Sequence, residues 1–185
     1  MNYALAMHSV LRLDETIYPA IMQSSRTARY CMLNVLIFGF LHALFSLILS
    51  PALLAEGQIA APLPLMSKII FILIGIAVAF FMHAGTALFL WVFSRGIGGN
   101  TAFFPIYFNL GISFVGLWPL APLPAALQAG YSGAALQILL GIAAIYGLAV
   151  ILLGSKSASG LSMKKMLTAM GVTIVFVACF LYLWL

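Results

Sequence analysis

Long apolar runs separated by short polar stretches dominate the chain. Five runs are long enough to cross a membrane, since a helix through the hydrocarbon needs about 20 mainly apolar residues. We place the spans at residues 31–54, 69–93, 104–123, 132–153 and 166–185. Prolines fit these boundaries, because Pro51 lies near the end of the first span, Pro64 falls in the first connection and Pro105 begins the third span. The pattern predicts an all-α membrane protein with five transmembrane helices.

Residues 1–30 differ from the rest, because apolar and polar residues alternate there without a long apolar run. Leu11, Ile17 and Tyr18 lie among Arg12 and Glu15, which makes the stretch too polar to span a membrane but apolar enough to touch one. We expect Pro19 to break a long helix here, with a shorter helix after it. The predicted organisation is a short interfacial segment at 1–30 followed by a five-helix domain at 31–185.

The basic residues predict the orientation. Lys and Arg collect in short cytoplasmic loops, and on the five-span topology seven of the eight cations lie on one side. These are Arg12, Arg26, Arg29, Arg95, Lys156, Lys164 and Lys165, with Lys68 alone on the other side. The N-terminus is therefore expected in the cytoplasm and the C-terminus outside, with Glu56 and Gln128 facing outward.

The composition narrows the class of protein. Hydrophobic residues make up 65% of the chain and charged residues only 6%, so the bilayer rather than water is the solvent that the sequence implies. The net charge of +5 needs no nucleic-acid partner, because the cations face the anionic inner leaflet. We expect an integral protein of a cytoplasmic membrane whose partners are lipids and other membrane subunits or a second copy of itself.

Two histidines are the ionisable residues placed inside the predicted spans. His42 lies eleven residues from the inner end of the first span and His83 ten from that of the second, a depth of about 15 Å for both. Small residues line both helices on the same stripes: Gly39, Ala43 and Ser46 with His42, and Gly75, Ala79 and Thr86 with His83. The two imidazoles are therefore expected to face one helix interface.

Two interpretations of the histidine pair remain open. The first makes His42, His83 and the polar Asn109 interhelical hydrogen-bonding groups, bonded to Ser, Asn or backbone carbonyls. The second is a shared metal ion or haem, for which two histidines without a carboxylate or thiolate make a poor ligand set. The three acids, Asp14, Glu15 and Glu56, all lie outside the spans. We therefore predict no catalytic residues, no cofactor and no enzymatic activity.

The stretch GIGGNTAFFPIYFN at 96–109 raises the possibility of a phosphate-binding loop. Its glycines, Gly96, Gly98 and Gly99, match neither G-x-x-x-x-G-K-[ST] nor G-x-G-x-x-G. We interpret 95–101 as a cytoplasmic turn in which at least one glycine has positive φ. The candidate lipid or partner contacts at this face are Arg95, Gly98, Gly99, Lys156, Lys164 and Lys165.

The order of these features resembles a known family. The polar lead, His83 in the second span, the passage SRGIGGNTAFFPIYFNLGISFVGLWPL and the later LLGIAAIYGLAVILLG are similar to the Yip domain family of Ypt/Rab-interacting membrane proteins, in its short bacterial form. The resemblance implies five spans with a cytoplasmic N-terminus and a bacterial inner membrane. The long N-terminal region of the eukaryotic members is absent, so their trafficking role is not carried over.

Three functions remain for such a chain. We predict a non-enzymatic scaffold, assembly factor or accessory subunit of a larger membrane complex, because the sequence has no catalytic constellation and has small-residue stripes suited to helix association. A small channel or lipid-handling permease is the alternative, suggested by the breaks near Gly111, Gly116 and Pro119. A redox subunit would depend on His42 and His83.

Overall fold

The computed structural model describes residues 2–49 and 64–182, and every regular element within them is helical. The elements are α1 (Tyr3–Leu11), α2 (Ile17–Met22), α3 (Thr27–Leu49), α4 (Leu65–Gly96), α5 (Phe103–Ser113), a 3-10 segment (Phe114–Leu120), α6 (Pro122–Gln128), α7 (Ala134–Ser159) and α8 (Met163–Tyr182). The predicted span ends at 50–54 and 183–185, with Pro51 and Glu56, lie outside the described residues.

The all-helical class is confirmed, and four segments of the described chain are long and apolar enough to cross a membrane. These are α3, α4, the combined stretch Phe103–Leu120 and α7. Helix α4 has 32 residues, about 48 Å at 1.5 Å per residue, and so exceeds a hydrocarbon layer of about 30 Å. It begins four residues earlier and ends three residues later than the predicted span.

The third membrane segment changes helix type part-way along. It is α-helical up to Ser113, and the next seven residues form a 3-10 helix that contains Pro119. Proline lacks the N–H that an α-helical bond requires, and its ring clashes with the carbonyl four residues earlier. A 3-10 helix of this length is uncommon because its hydrogen-bond geometry is poorer. The sequence placed one span here and suggested breaks near Gly111, Gly116 and Pro119. The structure changes helix type at Phe114, which the proline explains.

Helices α3 and α4 cross in close contact through small residues. Ideal Cβ atoms added to Gly39 would lie 2.8 Å from Ala79 Cβ and 2.9 Å from Ile76 Cα, and one added to Gly75 would lie 2.6 Å from Ala43 Cβ. Each helix thus presents a glycine and an alanine four residues apart, which lets the backbones approach. This contact fixes the register between the two helices.

The N-terminal helices belong to the helical bundle. Ala6, Met7 and Val10 of α1 and Tyr18 and Ile21 of α2 are buried in one cluster with Ile112, Val115 and Val150. The chain breaks between Leu11 and Ile17, earlier than expected from Pro19. Pro19 itself lies in the first turn of α2, where a missing N–H costs little.

Packing is concentrated at one end of the bundle. This basic end contains α1, α2, the α4–α5 turn and the α7–α8 turn. The buried residues of α4 start at Ala79 and those of α7 at Gly147, although the helices begin at Leu65 and Ala134. The halves of α4 and α7 far from the basic end therefore contribute no buried residues to the described structure.

We predict that Gly39→Ala destabilises the fold by about 1–3 kcal/mol, because the added methyl meets the backbone of α4, which cannot move aside cheaply. Gly141→Ala in α7 is the matched control, since nothing lies within 4 Å of an added Cβ there. Reversible unfolding in mixed micelles measures both variants. Equal stability of the two would show that the crossing does not depend on Gly39.

Candidate functional site

Both membrane histidines bond to backbone carbonyls, His83 within the third segment and His42 at Ala121, the residue that follows it. His83 is fully buried, with Nε2 3.0 Å from Tyr107 O and its ring 4.4 Å from the Tyr107 ring and 5.3 Å from that of Phe114. His42 places Nδ1 3.2 Å from Ala121 O. A carbonyl only accepts hydrogen bonds, so these two nitrogens carry the protons. The remaining ring nitrogens, His83 Nδ1 and His42 Nε2, are then acceptors.

The expectation that the two imidazoles share one depth is wrong. Their carbonyl partners, Tyr107 and Ala121, are fourteen residues apart along one segment, a separation of about 20 Å or more. The small-residue crossing sets Gly39 against Gly75 and Ala79, which places His83 level with Cys31 instead of with His42. A metal ion with imidazole bonds of about 2 Å cannot be shared across this distance.

His83 lies where α3, α4 and α5 pack closely together. An ideal Cβ on Gly111 would clash with Cys31 Sγ and would lie 2.9 Å from His83 Nε2. Glycine at this position therefore makes room for both side chains. The buried Nδ1 of His83 has no hydrogen-bond partner among the described residues. Gly111 thus serves close packing, although the sequence suggested a break there.

Asn109 belongs to a buried polar network that joins α2, α5 and α7. Its Nδ2 donates to Gly154 O at 3.0 Å, and its carbonyl accepts from Ser113 Oγ at 2.8 Å. Tyr18 OH lies 2.9 Å from Ser113 Oγ and 3.2 Å from Val150 O. Because the Ser113 hydrogen goes to Asn109, the Tyr18 hydrogen is shared between Ser113 and Val150. Burial raises the pKa of Tyr18 to about 12.

A second set of contacts holds α1 in place. Tyr3 OH donates to Asn34 Oδ1, and Asn34 Nδ2 donates to Ile112 O at 2.8 Å. Tyr146 OH donates to Leu11 O at 2.6 Å. Sequence reasoning missed the roles of Tyr3 and Tyr18. One feature of the sequence could have indicated these roles. Polar residues inside the predicted spans need hydrogen-bond partners from elsewhere in the chain, and these residues are Asn34, Asn109 and Ser113.

The 95–101 stretch is a helix-terminating turn. Gly98 has φ of +94°, and the N–H groups of Gly98 and Gly99 bond to the carbonyls of Arg95 and Ser94 at 3.1 and 2.8 Å. This paired pattern is the Schellman motif, which terminates many helices with a left-handed glycine. The backbone amides of Gly98 and Gly99 are therefore used within the turn.

The basic side chains proposed as lipid or partner contacts gather at this end. Lys165 Nζ donates to Ile97 O at 3.2 Å, and Lys156 Nζ pairs with the Glu15 carboxylate at 2.6 Å. Arg95 lies over the Trp91 ring, 5.3 Å from its centroid, and Lys164 is exposed. The structure thus gives three of these cations an internal contact and brings all four to one end of the molecule.

Comparisons with known proteins add no assignment. No family model, curated protein or solved structure matches this chain. The resemblance to the Yip domain family stays a prediction from the quoted motifs, and the function must be argued from the geometry.

The turn yields a prediction about Gly98. We expect Gly98→Ala to cost about 1–2 kcal/mol, because an L side chain strains left-handed backbone, and Gly98→Asn to cost less. Gly96→Ala is the control, since Gly96 is helical and nothing lies within 4 Å of an added Cβ. Unfolding titrations compare the three variants. Full stability of Gly98→Ala with loss of lipid binding would instead make the glycine part of a recognition site.

Proposed function

We propose that this chain is a non-enzymatic, multi-pass membrane protein that acts by association, as a scaffold, assembly factor or accessory subunit. In this proposal α8 is the fifth span, the basic end faces the cytoplasm, and the membrane is the bacterial inner membrane, as the Yip resemblance implies. The four apolar helices support an integral membrane protein. The proposal names lipids and other integral membrane subunits or a second copy as partners.

The observation that carries this proposal is the uneven packing of the bundle. Near the basic end, His83, Asn109 and Ser113 are all bonded within the chain. Far from that end, α7 exposes Gly141 among large apolar residues such as Ile138 and Ile142. A glycine in a membrane helix commonly marks a contact with another helix, and nothing in the chain lies within 4 Å of an added Cβ on Gly141. This surface suits an external helix.

A small channel or lipid-handling permease is the second candidate. It is favoured by the 3-10 segment Phe114–Leu120, which lies inside a membrane-crossing stretch. Transporters often place substrate sites at such interrupted helices.

The distribution of basic residues supports the proposed orientation and makes it testable. Arg95, Lys156 and Lys165 lie at the basic end, whereas Gln128 ends α6, which follows the far end of the third segment. In a Cys179→Ser background, we expect a membrane-impermeant thiol reagent to label Gln128→Cys in intact cells and Lys164→Cys only after lysis. Labelling of Lys164→Cys in intact cells would overturn the orientation.

The association proposal predicts a stable partner in native membranes. At endogenous expression, the tagged chain should copurify with another integral protein or with an untagged copy of itself. Gly141→Leu should reduce the captured partner without lowering the folded yield, because a leucine there fills the approach of a second helix. Ile142→Leu, an exposed apolar exchange on the same helix, should leave capture unchanged.

Recovery of a monodisperse monomer from native membranes would exclude the accessory role. Equal partner capture by Gly141→Leu and the native chain would remove Gly141 from the interface.

A further inference from the structure

A half-open cavity of about 480 Å³ lies between α3, α4, the third segment and α7. Such a volume falls within the range of about 300–1,000 Å³ typical of small-molecule sites. Its walls are apolar, with Phe38, Met82, Phe114 and Leu117 among them. The polar side chains that line it are His42 and Thr86. We call this cavity the slot.

The slot is long and narrow. Gly75 and Thr86 both line it and are eleven residues apart on α4, so it extends about 16 Å along the helix axes. A volume of about 480 Å³ spread over this length makes the slot clearly longer than it is wide. Such an elongated apolar space suits one linear hydrocarbon chain.

His42 gives the slot one defined polar position. Its Nδ1 donates to Ala121 O, so Nε2 keeps a lone pair and has no hydrogen bond among the described residues. Thr86 contributes a hydroxyl, which can donate as well as accept, whereas Nε2 of the neutral His42 imidazole can only accept. His42 Nε2 therefore needs a donor from the molecule that occupies the slot. Inside a membrane the matching group is a neutral donor, such as a hydroxyl.

We propose that the slot binds a membrane amphiphile through one linear hydrocarbon chain, with a hydroxyl of the amphiphile donating to His42 Nε2. The chain lies along the helix axes, as hydrocarbon chains do in the surrounding bilayer. A lipid site in the slot is compatible with a scaffold that holds a structural lipid and also with a lipid-handling permease. The slot proposal depends on neither function, because ligand occupancy and partner capture are measured separately.

Photolabelling of the purified full chain in nanodiscs tests the slot. The probe is a long-chain primary alcohol with a mid-chain diazirine, compared with its methyl ether, which cannot donate a hydrogen bond. We expect the alcohol to label slot peptides about tenfold more than the ether. Val78→Trp, which fills the slot, should lower labelling by both probes about tenfold. Phe81→Trp, on the exposed side of α4, should label like the native chain.

A second variant separates recognition from folding. His42→Phe keeps an aromatic ring but removes the acceptor, so labelling by the ether should persist while the alcohol loses its advantage. A merely structural role for His42 would change labelling by both probes alike. Equal labelling by alcohol and ether in the native chain, or native labelling by folded Val78→Trp, would overturn the proposal.

Discussion

The third membrane segment requires hydrogen bonds from its neighbours, and the arrangement of the bundle follows from that requirement. Within a bilayer no water is available to satisfy backbone carbonyls, so bonds lost where a helix changes type must be replaced by protein groups. The segment changes from α to 3-10 at Phe114, and Asn34 donates to the carbonyl of Ile112, two residues before that change. His83 donates to the carbonyl of Tyr107 within α5, and His42 donates to that of Ala121, the residue after the 3-10 segment.

This constraint also explains why the N-terminal residues pack into the bundle. Asn34 can present its Nδ2 to Ile112 because its Oδ1 accepts from Tyr3 on α1. Ser113, the last residue before the change of helix type, is bonded by Tyr18 on α2. An unpaired buried polar group costs about 1–3 kcal/mol, so these tyrosines stabilise the break as well as their own helices. The N-terminal segment, which the sequence placed at the membrane surface, thus supplies hydrogen bonds to the polar interior.

The sequence predicted most of the helices and turns, but it did not predict how the helices lie relative to one another. Apolar runs predicted five spans, four of which coincide with helices long and apolar enough to cross a membrane. The glycines near Arg95 predicted a turn with positive φ, which Gly98 adopts. The depth of His83 was not predictable from span lengths, because the contact of Gly39 with α4 sets the register. The hydrogen-bond partners of Asn109 and Asn34 could not be predicted either. They are backbone carbonyls and a tyrosine that lie far away in the sequence, and no local sequence pattern marks them.

The uneven packing connects the break to the slot. Around Tyr18 and His83 the helices are joined by hydrogen bonds and glycine contacts, which close the bundle. The slot runs from Gly75 to Thr86 along α4, and the 3-10 segment contributes Phe114, Leu117 and Leu120 to its wall. Empty apolar volume loses the dispersion contacts of its lining, so a chain that fills it would stabilise the walls. The same break that demands hydrogen bonds from His42 therefore also creates the space beside it.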